Sequence, residues 1–93
     1  MSNREYAKEV LDEMYAEYLK RKQRRENEPE PYNCLVLRYL IEHDSITPMQ
    51  AINMYDCTRL GARIFDLRER GVQIQTEKIK TKRGGEVARY TLL

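Results

Sequence analysis

The sequence predicts a mainly helical α+β domain that ends in a small β-hairpin and is preceded by an amphipathic helix. Apolar residues recur at helical spacing in residues 4–25 and again in residues 32–70, which predicts several helices. From residue 72 onward, apolar and polar residues alternate on both sides of a Gly-Gly pair, which predicts two strands joined by a tight turn. The length of 93 residues allows one small domain with an appendage.

The first predicted element is one amphipathic helix over residues 4–25. Its apolar stripe advances in steps of four, three and four residues through Ala7, Leu11, Met14 and Tyr18. Acidic residues lead this helix and a basic run at 20–25 ends it, an order that complements the helix dipole. The helix is therefore predicted to hold one apolar face against a partner.

A linker over residues 26–31 is predicted to separate the N-terminal segment, 1–25, from a compact domain over 32–93. The linker contains two prolines, which forbid helical hydrogen bonding and favour an extended conformation in the residues before them. The domain is predicted to begin with a helix from an N-cap at Asn33 to about Asp44.

The next two helices are predicted from residues that typically begin or end a helix. Thr47 is followed by proline at the first helical position and by Gln50, which together form a capping box for a helix to about Met54. Thr58 is the predicted N-cap of a third helix, and Gly71 is placed to end it.

The remaining segments are predicted to form strands and connections. Alternation over residues 72–77 and 87–92 predicts a hairpin whose tip lies at 80–85. Ser45 and Ile46 are interpreted as a short bridge between helices. Three short helices followed by a hairpin with a basic tip is the order of a winged helix-turn-helix.

The third helix of this domain is the most informative segment for function. Its buried stripe is predicted to consist of Leu60, Ile64 and Leu67, and a neighbouring face carries Arg59, Arg63, Asp66 and Arg70. An α-helix fits the major groove, and arginine can donate two hydrogen bonds to guanine. The predicted readers of base edges are Thr58, Arg59, Ala62 and Arg63. Asp66 is predicted to hold an arginine in position; the alternative is a solvated face with Arg63–Asp66 and Asp66–Arg70 ion pairs.

Two further DNA contacts are predicted. The hairpin tip places four cations within six residues, at Lys78, Lys80, Lys82 and Arg83, where they can neutralise phosphates. The alternative is that they protect an exposed strand edge against pairing with another chain. Thr47 can present backbone N–H groups to a phosphate at its helix N-terminus, or it can serve as a cap alone.

The chain resembles a small winged helix-turn-helix family that is common in bacteriophage and prophage genomes. The matching residues lie at 45–51, 59–71, 74–77 and 88–92. This resemblance implies double-stranded DNA binding in phage-encoded transcription regulation or recombination, in the cytoplasm of a bacterial host. Phe65 departs from the family pattern, where a small or polar residue is expected. It is interpreted as a contact with the second helix of the domain, predicted at about 47–54, or as an exposed contact.

The N-terminal helix leaves three interpretations open. Its stripe can fold back on the domain, pair with a second copy in a homodimer, or bind a host protein. The predicted interaction residues are Leu11, Met14, Tyr18 and Phe65. The alternative function is therefore a phage-encoded module that binds or inhibits a host protein complex. The basic run at 20–25 is either a DNA-contacting arm or a solvated helix end.

Composition and charge exclude several classes of protein. Hydrophobic residues make up 41% of the chain and charged residues 34%, and no apolar stretch approaches the length of a membrane span or a signal peptide. The two cysteines form no disulfide framework, and one histidine cannot build a His-rich metal site. Without a Gly-rich phosphate loop or a nucleophile–base pair, no enzyme activity and no cofactor are expected. The net charge is +2, from 17 basic and 15 acidic residues.

Overall fold

The computed structural model describes residues 1–23 and 29–93. In these residues the chain forms helices and strands in the order α1 (Asn3–Lys22), α2 (Tyr32–His43), β1 (Ser45–Ile46), α3 (Pro48–Tyr55), α4 (Leu60–Glu69), β2 (Ile74–Lys80) and β3 (Glu86–Leu92). The strands form one antiparallel sheet in the order β1-β3-β2. This α+β arrangement is that of a winged helix with an additional N-terminal helix, and it confirms the predicted fold class.

Helix α1 packs along α2 and completes the core. Its N-cap is Ser2, whose hydroxyl accepts a hydrogen bond from the Glu5 N–H at 3.2 Å. Its buried residues are Ala7, Val10, Met14 and Tyr18, of which Ala7 is fully inaccessible. The predicted helix extended to residue 25, whereas α1 ends at Lys22 and residues 24–28 lie outside the described residues. The predicted linker is described only at 29–31, which belongs to no helix or strand.

Polar side chains also fasten α1 to the rest of the domain. The Asn3 amide donates to the carbonyl oxygens of Gln73 at 2.9 Å and Leu93 at 2.7 Å, and its oxygen accepts from the Gln73 N–H. Arg4 donates to the Ile41 carbonyl and forms an ion pair with Asp44. These contacts join the start of the chain to its end, so α1 is part of the domain rather than an appendage.

A second polar cluster links the C-terminal half of α1 to α2. The Tyr15 hydroxyl donates to the Glu30 carboxylate and accepts from the Arg38 guanidinium at 2.8 Å. Arg38 also donates to the same carboxylate at 3.2 Å. Burial, together with the hydrogen bond to Glu30, raises the pKa of Tyr15 to about 12, because both favour the neutral phenol. The cluster therefore keeps its hydrogen bonds through the neutral pH range.

The observed helix starts confirm one predicted cap and correct two. At α3, the Thr47 hydroxyl accepts from the Gln50 N–H at 3.3 Å and the Gln50 side chain accepts from the Thr47 N–H at 3.0 Å, which is the predicted capping box. The predicted cap at Asn33 is wrong, because α2 begins after Pro31, whose fixed φ suits the chain entering a helix. The predicted cap at Thr58 is also wrong: the N-cap of α4 is Arg59, without a side-chain cap bond.

The sheet contains one strand more than the sequence predicted. β1 was interpreted as a short bridge, but it pairs with β3 through Ser45 opposite Thr91 and Ile46 opposite Tyr90. β2 and β3 form the predicted hairpin over seven paired positions. The turn at 81–85 is closed by the Thr81 N–H, which donates to the Gly85 carbonyl at 2.8 Å.

Apolar side chains from every helix and every strand meet in one core. The largest fully buried side chains are Leu37, Leu40, Ile46, Ile64, Leu67, Val36, Val72 and Cys34. The predicted buried stripe of α4 is confirmed, since Leu60, Ile64 and Leu67 are at most 3% exposed. This packing fixes which side of α4 faces away from the domain.

Substitution by alanine is predicted to have opposite effects on stability at two glycines in the α4 region. Gly71 has a φ of 95°, and an added Cβ would lie 3.0 Å from the Tyr6 hydroxyl, so Gly71→Ala should destabilise the domain by about 1–3 kcal/mol. Gly61 lies in the helix, and its added Cβ would meet the Tyr90 hydroxyl at an ordinary 3.6 Å, so Gly61→Ala should stabilise by about 0.5 kcal/mol. Thermal unfolding of both variants measures this difference, and equal midpoints would contradict it.

Candidate nucleic-acid interface

Helix α4 presents its N-terminal half to solvent. Because Leu60, Ile64 and Leu67 face the core, the opposite side of the helix carries Ala62 and Phe65. The residues just before the helix, Thr58 and Arg59, are also exposed. Of the four predicted base readers, the structure therefore brings three together on an accessible helix end, namely Thr58, Arg59 and Ala62.

The fourth predicted reader, Arg63, lies at the edge of this surface. Its side chain is 32% exposed and forms an ion pair with Asp66 at 3.5 Å. It lines a pocket of about 200 Å³ at the α3–α4 turn together with Tyr32, Asp56, Cys57, Thr58 and Arg59. Its buried Nε has no hydrogen-bond partner within the described part of the chain. Arg63 is thus a partly buried neighbour of Arg59 whose charge is balanced by Asp66.

The C-terminal end of the arginine face is engaged by α1. Arg70 forms an ion pair with Glu17 at 3.9 Å, and the Arg70 carbonyl accepts a hydrogen bond from the Tyr6 hydroxyl. Of the two ion pairs considered for a solvated face, the structure contains Arg63–Asp66, while Arg70 is turned toward α1. The predicted face is therefore divided into an accessible N-terminal part and a C-terminal part that packs on α1.

Thr47 uses its polar groups within its own helix start. The capping box occupies its hydroxyl and its N–H, and the Gln50 N–H is bonded as well. Pro48 has no N–H. These contacts support the capping interpretation of Thr47 and leave little of the α3 N-terminus for a phosphate.

The hairpin formed by β2 and β3, here called the wing, carries the four predicted cations on its outer part. All four side chains, Lys78, Lys80, Lys82 and Arg83, belong to exposed residues. Because side chains alternate along a strand, Lys78 and Lys80 share the sheet face of the buried Ile74. Lys80 lies opposite Glu86 in the register, so its charge is partly balanced. The opposite face carries the Glu77–Arg89 pair at 2.6 Å.

One residue that links α4 to the wing was not predicted from the sequence. Arg68, on the side of α4 that faces the sheet, donates to the Ile74 carbonyl at 3.0 and 2.7 Å and to the Thr76 hydroxyl at 2.7 Å. It ties α4 to β2 while it remains exposed at the junction. The wing face that carries Lys78 is therefore continuous with the accessible side of α4.

The predicted interaction residues fall into two groups. Met14 and Tyr18 are 4% and 8% exposed, and Leu11 packs against the same core, so this stripe folds back on its own domain. Phe65 is 61% exposed. Of the interpretations offered for the N-terminal helix, the structure shows the intramolecular one.

Within residues 1–23 and 29–93, no group of three or more His, Cys, Asp or Glu side chains is placed to hold a metal ion. Cys34 and Cys57 are both buried and unpaired with each other. Burial raises the pKa of the Cys34 thiol, which keeps it protonated at neutral pH. Among the described helices, none is both long and apolar enough to cross a membrane.

Comparison with known proteins identifies the domain. The winged helix-turn-helix domain family matches residues 33–93, from the start of α2 to the end of the wing. No curated protein and no solved structure matches the chain. Since the matched segment covers most of the chain and the element order agrees with it, the protein belongs to the winged helix-turn-helix domain family.

Proposed function

We propose that the protein binds double-stranded DNA, with the N-terminal half of α4 in the major groove and the wing on the neighbouring phosphates. The observation that carries this proposal is the continuity of the two basic parts. Arg68 joins α4 to β2 and so places the wing strand that carries Lys78 and Lys80 beside the helix whose exposed N-terminal end holds Arg59. In helix-turn-helix domains the second helix of the motif lies in the major groove, with its N-terminal residues at the base edges.

Individual roles follow from exposure and chemistry. Arg59 is exposed at the helix end and is the proposed donor to guanine. Thr58 and Ala62 flank it at the base edges. Arg63, held by Asp66, is proposed to act from the rim of the α3–α4 pocket through the exposed part of its side chain, since its Nε is buried. Thr47 is proposed to orient α3 through its cap, with any phosphate contact secondary.

The wing supplies affinity rather than sequence preference. Lys82 and Arg83 stand at the exposed turn, and Lys78 and Lys80 lie on the face that continues α4. Each phosphate that such a side chain neutralises releases a counterion and adds to the salt dependence of binding. We propose no cofactor and no chemical step.

The biological role that we propose follows the resemblance noted in the sequence. A small winged helix-turn-helix protein of phage or prophage type would act in the cytoplasm of a bacterial host as a transcriptional regulator or a recombination accessory factor. A homodimer on two half-sites remains part of this proposal. It would need a surface other than the α1 stripe, because that stripe is buried within the chain.

The test is fluorescence anisotropy with a pool of random-sequence duplexes, titrated over salt and followed by selection of bound sequences. We expect binding at low salt that weakens steeply as salt rises, and enrichment of one motif. A palindromic motif would support the homodimer. Absence of binding at low salt would overturn the proposed function.

A second candidate function is supported by apolar exposure on α3. Met49, Ile52 and Met54 are 65%, 41% and 50% exposed, and exposed apolar side chains can form a protein-interaction site. A host protein could dock on this helix, as in a module that binds or inhibits a host complex. In a pull-down from bacterial lysate, substitution of Met49 and Met54 by serine should abolish capture of such a partner and leave DNA binding intact.

A further inference from the structure

We propose that Phe65 binds the 5-methyl group of thymine in the major groove, with the small Ala62 beside it leaving room for the base, so that the preferred DNA carries thymine beneath the middle of α4. This inference rests on the proposed DNA-binding function and adds the class of base that α4 selects. The feature behind it is a large aromatic side chain, 61% exposed, on the accessible side of the helix.

The position of Phe65 on α4 determines what it covers. Its neighbours on the helix surface are Gly61 and Ala62 in the preceding turn and Arg68 and Glu69 in the following turn. Long side chains on an α-helix lean toward its N-terminus, so the ring extends over Gly61 and Ala62. Those two residues have the smallest side chains, which leaves room for the floor of a groove to approach.

The chemistry of this surface matches one base in particular. In the major groove, thymine presents a methyl group, and alanine and phenylalanine side chains are suited to contact it. The other major-groove edges present hydrogen-bond donors and acceptors, which neither Ala62 nor Phe65 can satisfy. Burial of the methyl group against the ring removes apolar surface of both partners from water.

The surrounding charges identify DNA as the occupant of this apolar surface. Arg59 stands at the N-terminal end of the strip, and Arg68 lies beside it on the side of the wing. Asp66, which follows Phe65 in the sequence, is paired with Arg63 at 3.5 Å. Glu69 is one turn closer to the C-terminus, the end of the helix that lies farther from the base edges when the N-terminus enters the groove.

The experiment replaces thymine by deoxyuridine, which lacks only the methyl group. The best duplex obtained by selection is synthesised with each thymine changed in turn. We expect one or two positions at which deoxyuridine weakens binding of the unaltered protein about threefold to fivefold, the effect of burying about one methyl group.

Variants assign this effect to Phe65. Phe65→Ala should bind thymine and deoxyuridine duplexes equally at those positions, whereas Phe65→Leu, which keeps an apolar side chain, should retain most of the preference. Leu19→Ala removes a side chain of similar exposure, 55%, from α1 and should retain the full preference. Because Phe65 and Leu19 are both exposed, all variants should unfold at nearly the same temperature.

The outcomes separate this inference from the function on which it rests. Selected duplexes that bind tightly but show no deoxyuridine effect would overturn the thymine contact and leave DNA binding intact. An effect that persists in Phe65→Ala would assign the methyl group to another residue and would also overturn the inference. Failure of the unaltered protein to bind any duplex at low salt would overturn the proposed function itself.

Discussion

A fragment of residues 29–93, which contains the whole segment that matches the family, is expected to show no cooperative unfolding transition. Removal of α1 deletes four side chains from the core, those of Ala7, Val10, Met14 and Tyr18. Loss of one large core side chain costs about 2–5 kcal/mol. The total stability of a small domain is about 5–15 kcal/mol, so the loss of α1 exceeds what the remaining domain can tolerate.

Polar contacts at the start of α1 strengthen this expectation. Asn3 is bonded to Gln73 and Leu93, which lie at the base of the wing. Arg4 is bonded to the Ile41 carbonyl and to Asp44 at the end of α2. Without α1, these backbone carbonyls lose their partners and the apolar face of α2 is exposed to water.

Circular dichroism during heating measures the effect, with two point variants as a matched pair. Met14→Ala alters a side chain that is 4% exposed and should destabilise the full chain by about 2–4 kcal/mol. Leu19→Ala alters a side chain of the same helix that is 55% exposed and should change stability by less than about 0.5 kcal/mol. A fragment 29–93 that melts cooperatively near the midpoint of the full chain would show that α1 is dispensable.

The sequence was informative where local interactions determine structure. The capping box of Thr47 and Gln50 needs only residues within one turn, and it was predicted correctly. The end of α4 at Gly71 depends on a backbone conformation that glycine adopts easily, with the observed φ of 95°. The apolar stripe of α4 follows from helical periodicity alone. Each of these features depends on residues that lie within a few positions of one another in the sequence.

Features that depend on distant partners escaped prediction. β1 has two residues, too few for alternation to be recognised, and it exists because Ser45 and Ile46 meet β3. Thr58 and Asn33 are good capping residues by type, but the helix starts are set by where the chain enters the packed domain. For the same reason, the sequence did not decide which surface the apolar stripe of α1 packs against. A stripe of apolar residues predicts burial but does not identify the partner.

In the candidate site, too, features that depend on residues distant in the sequence could not be predicted. Arg59, Arg63 and Arg70 share one helix face by periodicity, yet Arg70 turns to Glu17 on α1 while Arg59 stays accessible. Periodicity cannot tell which end of a face a neighbouring helix will cover. Arg68 was missed because its importance comes from the Ile74 carbonyl and Thr76, which the fold brings to it. The sequence feature that could have indicated this role is the position of Arg68 next to Leu67, the last residue of the buried stripe of α4.

The wing provides the second large effect: the double variant Lys82→Ala/Arg83→Ala should weaken binding to every duplex alike. Each phosphate contact contributes about 0.9 to the slope of log K against log salt, so loss of two contacts should reduce the slope by about 1.8. If the curves of both proteins converge near 1 M salt, affinity at 0.1 M should fall by about 60-fold. Arg59→Ala, by contrast, should mainly reduce the preference for the selected motif.

The structure supplies the control that makes this prediction specific. Lys82 and Arg83 are exposed in a turn whose shape depends on Thr81 and Gly85 through backbone and hydroxyl hydrogen bonds, so alanine at both positions should leave the wing folded. Lys8→Glu changes the net charge by the same two units at an exposed position on α1 outside the basic run at 20–25. If the wing holds the phosphates, only the double variant of the wing flattens the salt dependence. Equal slopes in Lys8→Glu and the double variant would mean that net charge, and not the wing, attracts DNA, and the lysines of the wing would then protect the free edge of β2 instead.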